Sequence, residues 1–459
     1  MAVTHAASSL SDGIRVALSD SFGDEITVGD PRQLTGGASR QIWAVDVRGV
    51  DGQSQDVVLR RDPPGHGDAD RMRAEVACLR AAAAAGVPVP TVLASGDAAP
   101  GIDAPYLVMD MVVGESIPRK LQRDSEFDEV RMHLADDMGN VLGQIHRADT
   151  STLGMLDAGD PLDATEAVYR DLEQPRPAVE VGLRWLRENR PARRPNALVH
   201  GDFRLGNVLV DGAGICGVLD WELAHLGDPI EDLGWLCVRA WRFGAQAPVA
   251  GIGTREQLLD GYERATGIRP SEAELHWWEV YGTLRWLVLS QFQSQRHLGG
   301  AENSIELAAI GRRVCESEYD LLLMLGLLDV VDPPPDVTAP SLHDRPSLSE
   351  ILELVTGALL DDVAPVLDGA HDRERYALRI CVNLLGTARR ELRAGDCSAE
   401  LADLLTALEC QSEADLADRI RAGTHSYADA AVRRAISTAV LARLRVANPR
   451  HLSLLPSRN

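Results

Sequence analysis

The run Val199-His-Gly-Asp-Phe-Arg-Leu-Gly-Asn-Val-Leu-Val-Asp-Gly-Ala-Gly-Ile-Cys-Gly-Val-Leu-Asp-Trp-Glu222 sets reactive polar residues around two short apolar stretches. Val208–Val210 and Ile215–Leu219 read as strands, and Asp211-Gly-Ala-Gly214 between them tolerates the positive φ of a hairpin turn. Closing that hairpin brings its ends together, so Asn207 and Asp220 become neighbours. An amide oxygen and a carboxylate facing one point suit Mg²⁺, which prefers oxygen ligands and keeps phosphate oxygens and waters for the rest of its shell. Asp202 lies five residues before Asn207, on the loop leading into the hairpin. It can face the same centre without ligating a metal. Phosphoryl transfer to a hydroxyl asks for this set: a carboxylate to take the proton, and a metal held by an Asn and an Asp.

His200-Gly201 before Asp202, and Asp220 thirteen residues after Asn207, match the spacing of the kinase catalytic and metal loops. The chain resembles the aminoglycoside phosphotransferase family of kinase-like enzymes, marked by His-Gly-Asp-x-x-x-x-Asn and then Ile/Leu-Asp-Trp-Glu. Gly227-Asp-Pro-Ile-Glu-Asp-Leu-Gly234 fits a second family segment, and the similarity covers about residues 25–325. The Phe-Arg-Leu-Gly variant, with Leu-Arg-Arg and Pro-Pro-Gly earlier, is most similar to the branch fused to acyl-CoA dehydrogenases. The resemblance implies ATP and Mg²⁺ as cofactors, with GTP less favoured. Asp202 would be the base, and Asn207 and Asp220 the metal ligands. His200 would brace the loop as a buried ring bonded on both sides, and Arg204 joins the catalytic set. Gly36-Gly-Ala-Ser39, between two strands, resembles the phosphate-covering loop, with Gly36, Gly37 and Ser39 as nucleotide contacts. Tyr106–Gly114 resembles the connection between lobes, where backbone groups from Asp110 to Val112 would meet adenine.

The family's third-strand lysine is missing. Lys120 is the one lysine in the chain and follows the lobe connection. Val58-Leu-Arg-Arg61 offers arginine instead, so Arg60, with Glu75 of the following helix as partner, is the expected phosphate cation. A guanidinium binds phosphate bidentately rather than as a point charge.

Positioning these residues takes a β-rich front, with strands over residues 41–48 and 56–61. A helical back follows from about residue 124, with another long helix beginning at Ser271. The expected fold is α+β: a two-lobed, protein-kinase-like domain with an N-lobe over 1–113 and a C-lobe over 114–328, then an all-α bundle. Asp329–Pro346 holds five prolines and reads as an extended linker. All eight Trp and all five Phe precede it. Residues 347–459 carry 14 Arg against 16 acids, so nearly all of the −23 net charge lies before them. Helical stripes from the capping box Ser347–Glu350 to Leu444 predict a bundle that buries against the kinase lobe or a second copy of the chain, a possible homodimer.

With 459 residues, 46 Lys+Arg and 69 Asp+Glu, the chain lacks the positive footprint that nucleic acid or an anionic membrane needs. Its richest apolar stretch, Leu321–Leu328, is too short to span a bilayer. Seven cysteines without a Cys-x-x-Cys pair, and a start without a secretory pattern, lead to the expectation of free thiols in a cytoplasmic protein. His66, Asp68 and Asp70 are expected to be loop residues rather than a metal site. Of Trp277 and Trp278, at least one is expected in the core. The function so reached is transfer of the γ-phosphoryl of ATP to a hydroxyl of a small molecule, a hydroxy acid or hydroxyacyl thioester by the branch resembled. An aminoglycoside or macrolide acceptor is the alternative, and a nucleotide-sensing scaffold the rival of another class.

Overall fold

The computed structural model describes residues 2–23, 25–34, 40–49, 52–65, 67–328, 348–367, 371–394 and 398–452. In chain order its helices are α1 (Ala2–Phe22), α2 (Ala69–Ala84), α3 (Pro118–Arg123), α4 (Asp128–Arg131), α5 (Leu134–His146), α6 (Pro161–Asp171), α7 (Pro177–Glu188), α8 (Ile230–Cys237), α9 (Arg255–Thr266) and α10 (Glu272–Leu298). They continue with α11 (Ile305–Gly311), α12 (Val314–Met324), α13 (Leu348–Ala358), α14 (Asp372–Ala394), α15 (Ser398–Ala407), α16 (Glu413–Arg421) and α17 (Ala430–Ala447). The strands are β1 (Thr27–Val28), β2 (Arg32–Gln33), β3 (Gln41–Arg48), β4 (Ser54–Arg61), β5 (Val92–Gly96), β6 (Tyr106–Asp110), β7 (Ala197–Val199), β8 (Val208–Asp211), β9 (Gly214–Val218) and β10 (His225–Gly227). Two compact units result: Met1–Gly159 with Arg193–Cys237 and Trp241–Leu275, and Asp160–Ala192 with Val238–Ala240 and His276–Asn459.

In the first unit an antiparallel sheet runs β1-β3-β4-β6-β5, with β2 also on β3. Alternation along β3 and β4 sends Val45, Val47, Val57 and Leu59 into a core shared with Leu10, Ile14 and Leu18 of α1. Helix α1 is absent from the elements the sequence predicts. Its Ala- and Ser-rich stretch packs so close that a Cβ on Gly13 would lie 2.6 Å from the Pro100 carbonyl. Asp68 caps α2 by accepting the Arg71 N–H, an ordinary helix-start role, while His66 lies outside the described residues. The helical back is built on α5 against α9, where Gly139 and Gly261 let the two backbones meet. Ser271 and Glu274 exchange hydrogen bonds and cap α10.

In the second unit α7 and α12 share one core with the last helices. Ala178, Val181, Tyr319 and Leu322 pack with Leu416, Ile420, Val432, Ile436, Val440 and Leu444. Of the two covers expected for the tail, the stripes of α16 and α17 pack on α7 and α12 of the same chain, and nothing in the structure supports the homodimer. Buried ion pairs accompany the apolar contact. Glu318, fully buried, meets Arg176 at 3.1 Å and Arg443 at 3.4 Å. Asp320 meets Arg239 at 2.6 Å and His451 at 2.9 Å. Burial pushes the Asp320 carboxyl up, but His451 and Arg239 outweigh it and hold it below the usual carboxylate range. Trp277 and Trp278 are both core, the Trp277 indole donating to the Leu186 carbonyl at 2.9 Å. The predicted linker Asp329–Pro346 and Ser347 of the capping box lie outside the described residues. Six described cysteines are free thiols, and no described helix is long and apolar enough to cross a membrane.

Candidate active site

The β8–β9 hairpin pairs Val208 with Val218, and past the ladder the Leu219 N–H donates to the Asn207 carbonyl at 2.8 Å. Asn207 and Asp220 are thereby held at adjacent strand ends. Asp220 has φ +65, a left-handed conformation costing a non-glycine residue about 1–3 kcal/mol and typical of ligand clamps.

Asp202 is fixed by three donors. Its Oδ1 accepts from Arg204 Nε and Trp235 Nε1, each at 3.0 Å, and its Oδ2 accepts from Asn207 Nδ2 at 2.7 Å. The same Asn207 amide nitrogen also donates to the Asp202 carbonyl at 2.9 Å. With the NH₂ spent on Asp202, the amide oxygen of Asn207 turns the other way. A hard cation takes that kind of atom, and Asp220 adds a carboxylate, so the pair fits Mg²⁺ by donor chemistry. Among the described residues no group of three His, Cys, Asp or Glu could hold a metal, so phosphate and water oxygens would complete the shell.

The loop before Asp202 hangs on Asp232 of α8. The two Asp232 oxygens accept the successive N–H groups of His200 and Gly201, at 2.8 and 2.9 Å, and one also meets His146 Nε2 at 3.1 Å. Burial pushes this carboxyl up, but the bonds from His146 and the His200 N–H hold it below its ordinary value. Gly201 has φ +79, and a Cβ there would collide with the Leu223 carbonyl, so the turn needs glycine. His200 is fully buried. Its Nδ1 accepts the Asp202 N–H at 3.2 Å, leaving Nε2 to donate to the Leu219 carbonyl at 3.0 Å. Both ring nitrogens are thus occupied by backbone, and the ring spans from the loop to the far hairpin strand.

Arg60 reaches this hairpin from β4. Its Nη1 donates to Glu75 Oε1 at 2.5 Å, and its Nη2 to Asp220 Oδ1 at 2.7 Å, with Glu222 at 3.5 Å. Burial opposes the charge, and Glu75, Asp220 and Glu222 together raise the guanidinium above its ordinary value. Lys120 is half-exposed and pairs with Glu115 at 2.7 Å. Arg204 lies over the Trp241 ring, 4.7 Å from its centroid. At the lobe connection the Asp110 N–H bonds the Thr91 carbonyl and the Met111 N–H bonds the Asp56 carbonyl, so those two donors serve the sheet. Val112 follows beside Gly217 of β9. Gly36, Gly37 and Ser39 lie outside the described residues.

The structure thus links Glu75, Arg60 and Asp220 on one side, and Asn207, Asp202 and Arg204 on the other, through the closed hairpin. Sequence reasoning assigned no role to Asp232, although it lies in the quoted Gly227–Gly234 segment. Nor did it assign one to Trp235.

A family model described as "Phosphotransferase enzyme family" matches residues 30–272, and a domain of unknown function (DUF6285) matches residues 368–451. The chain is 29% identical to acyl-CoA dehydrogenase family member 10 of Mus musculus over 283 residues, 56% of this chain and 26% of that protein. It is 27% identical to acyl-CoA dehydrogenase family member 11 of Gallus gallus over 339 residues, 65% of this chain and 41% of that one. The matched part is therefore less than half of either relative. A crystal structure from Ralstonia eutropha, of a protein assigned to the aminoglycoside phosphotransferases, superposes with a TM-score of 0.54 at 22% identity. The match covers 69% of this chain and 98% of that one, a likeness of fold.

Proposed function

The chain belongs to the phosphotransferase enzyme family, and on that premise we propose that it moves the γ-phosphoryl group of ATP to a hydroxyl of a small molecule, with Mg²⁺. The observation that carries this reading is Asp202, a carboxylate fixed by three donors and bonded through Asn207 to the hairpin end that bears Asp220. Bound Mg²⁺ would neutralise charge on the β- and γ-phosphates, with Asn207 and Asp220 as its protein ligands. Arg60, whose Nη2 lies 2.7 Å from Asp220 Oδ1, would meet the phosphates beside that pair. The backbone of Val112, beside Gly217, would meet the adenine edge. Asp202 orients the acceptor hydroxyl and takes its proton as the acceptor oxygen bonds to the γ-phosphorus and the bond to the β-phosphate oxygen breaks, releasing ADP.

Arg204 favours one acceptor class. A guanidinium beside the base, supported on Trp241, attracts a carboxylate or phosphate and opposes the cationic amines of an aminoglycoside. A hydroxy acid or hydroxyacyl thioester fits this charge, and the names of the dehydrogenase relatives agree with it. The test is ADP release from Mg·ATP with a panel of hydroxylated acids, hydroxyacyl-CoAs, amines and antibiotics. Turnover with antibiotics alone overturns the acceptor class, and none with any hydroxyl compound overturns the phosphotransferase reading.

A further inference from the structure

Glu75 is shared by two arginines, and only one of them reaches the hairpin that carries Asp220. Its Oε1 accepts from Arg60 Nη1 at 2.5 Å, while its Oε2 accepts from Nη1 of Arg40. Arg40 directly precedes β3. The register Gln41↔Arg61 sets it opposite Asp62, and period-two alternation puts Arg40, Arg60 and Asp62 on one face of the sheet. Arg40 Nε meets Asp62 Oδ1 at 2.8 Å, and Asp62 Oδ2 accepts the N–H of Asp68, the N-cap of α2, also at 2.8 Å. Arg40 therefore grips α2 both at its start, through Asp62, and two turns further on, through Glu75. Its side chain is only 6% exposed.

An arginine beside a carboxylate prefers the two-bond fork, in which both guanidinium edge nitrogens go to the two carboxylate oxygens. Were Oε2 open, Glu75 could take Arg60 in that way and draw Nη2 off the hairpin end. We propose that Arg40 is a positioning residue of the phosphate grip: by occupying Glu75 Oε2 it denies Arg60 the fork and keeps Arg60 Nη2 aimed at the nucleotide phosphates. Removal of Arg40 costs nucleotide binding through Arg60, not through any contact of its own. This rests on the phosphotransferase reading above.

The test is the Kd for Mg·ATP by calorimetry, with circular dichroism as the check on folding. Arg40→Met is expected to weaken binding roughly tenfold or more, the size of one charge-assisted hydrogen bond. In Arg40→Met/Glu75→Gln the fork is chemically impossible, because a glutamine amide offers one acceptor oxygen. Its Kd should match that of Glu75→Gln alone. A merely structural role for Arg40 would not produce this non-additive recovery. If Arg40→Met does not fold, the double variant, which removes one cation and one anion together, decides against Glu75→Gln by itself. Native affinity in folded Arg40→Met, or a further tenfold loss on adding Arg40→Met to Glu75→Gln, overturns the assignment while native Mg·ATP binding leaves the phosphotransferase reading intact. Native protein that binds no Mg·ATP overturns both.

Discussion

Trp235 donates its indole N–H to Asp202 Oδ1 at 3.0 Å, the same oxygen that accepts from Arg204 Nε. With Asn207 on Oδ2, three donors occupy a carboxylate that has about four lone-pair sites. Little acceptor capacity remains beyond what one substrate hydroxyl would use. A carboxylate held this way has lost rotational freedom before any substrate arrives, which is where proximity contributes to rate.

Asp202→Ala is accordingly expected to lower kcat by ~10²–10⁴-fold, the usual worth of a positioned base. Mg·ATP affinity should stay within a few-fold. Trp235→Phe keeps an aromatic ring of smaller volume and removes the N–H donor, and should cost kcat roughly tenfold with little change in the ATP KM. Steady-state kinetics on both variants checks this. Transfer in Asp202→Ala at more than about a tenth of the native rate would show that another group takes the proton.

The site's core was legible because its chemistry lies in one continuous string. Asn207 and Asp220 flank a hairpin whose turn residues announce themselves, so their proximity follows from strand pairing alone. The pairing of Arg60 with Glu75 is readable from the strand position of one and the helix position of the other. Asp232 and Trp235 were not found, because their roles depend on how α8 packs under the loop, a long-range contact without local periodicity. Helix α1 was missed for a related reason: a short, Ser- and Asp-interrupted stripe acquires its meaning only against the sheet. The tail's later stripes, with Leu416, Ile420, Ile436 and Leu444, are buried, whereas Leu348, Ile351 and Val355 of its first stripe are exposed, so helical periodicity marks an apolar face without saying what covers it. Only the fold identified α7 and α12 as the cover.

Arg60 and Lys120 differ sharply as candidate phosphate cations. Lys120 makes one half-exposed pair with Glu115, whereas Arg60 is buried and bonded to Glu75 and Asp220. Lys120→Ala should leave ATP use unchanged within about twofold, since exposed ion pairs contribute little. Arg60→Ala should raise the ATP KM or lower kcat roughly tenfold or more, and Arg60→Lys should recover only part, lacking the second donor that spans Glu75 and Asp220. The reverse ranking would move the phosphate cation to Lys120.

Acid should weaken the fold through Asp232 and Asp320, whose carboxyls are held below their ordinary value in the folded chain. A lowered folded value means the unfolded chain binds more protons, so stability rises with pH through that window. The contribution is fully present above the unfolded value of about 3.9 and is lost as pH falls through the lower folded one. Melting temperature should therefore fall steeply below about pH 4. Asp320→Asn should melt lower than native protein at pH 7 and show a shallower pH dependence, and an unchanged slope would remove Asp320 as a cause.

Cutting the chain after Leu328 tests whether the last helices are an appendage or part of the body. The cut removes α13 to α17, and with them the residues of α15, α16 and α17 that share a core with Ala178, Val181, Tyr319 and Leu322 of α7 and α12. It also takes Arg443 from Glu318 and His451 from Asp320, leaving each fully or nearly buried carboxylate with one arginine, Arg176 or Arg239. Each carboxylate keeps one arginine, so the larger cost is the apolar face of α7 and α12 left in water, set against a typical domain stability of only ~5–15 kcal/mol. Residues 1–328 should therefore aggregate or lose a cooperative melt. Within the full chain, Ile436→Ala should lower stability by about 2–5 kcal/mol in urea titration. A soluble 1–328 fragment that melts at the native temperature would mean that α7 and α12 need no cover, and the C-terminal helices would then be a detachable module.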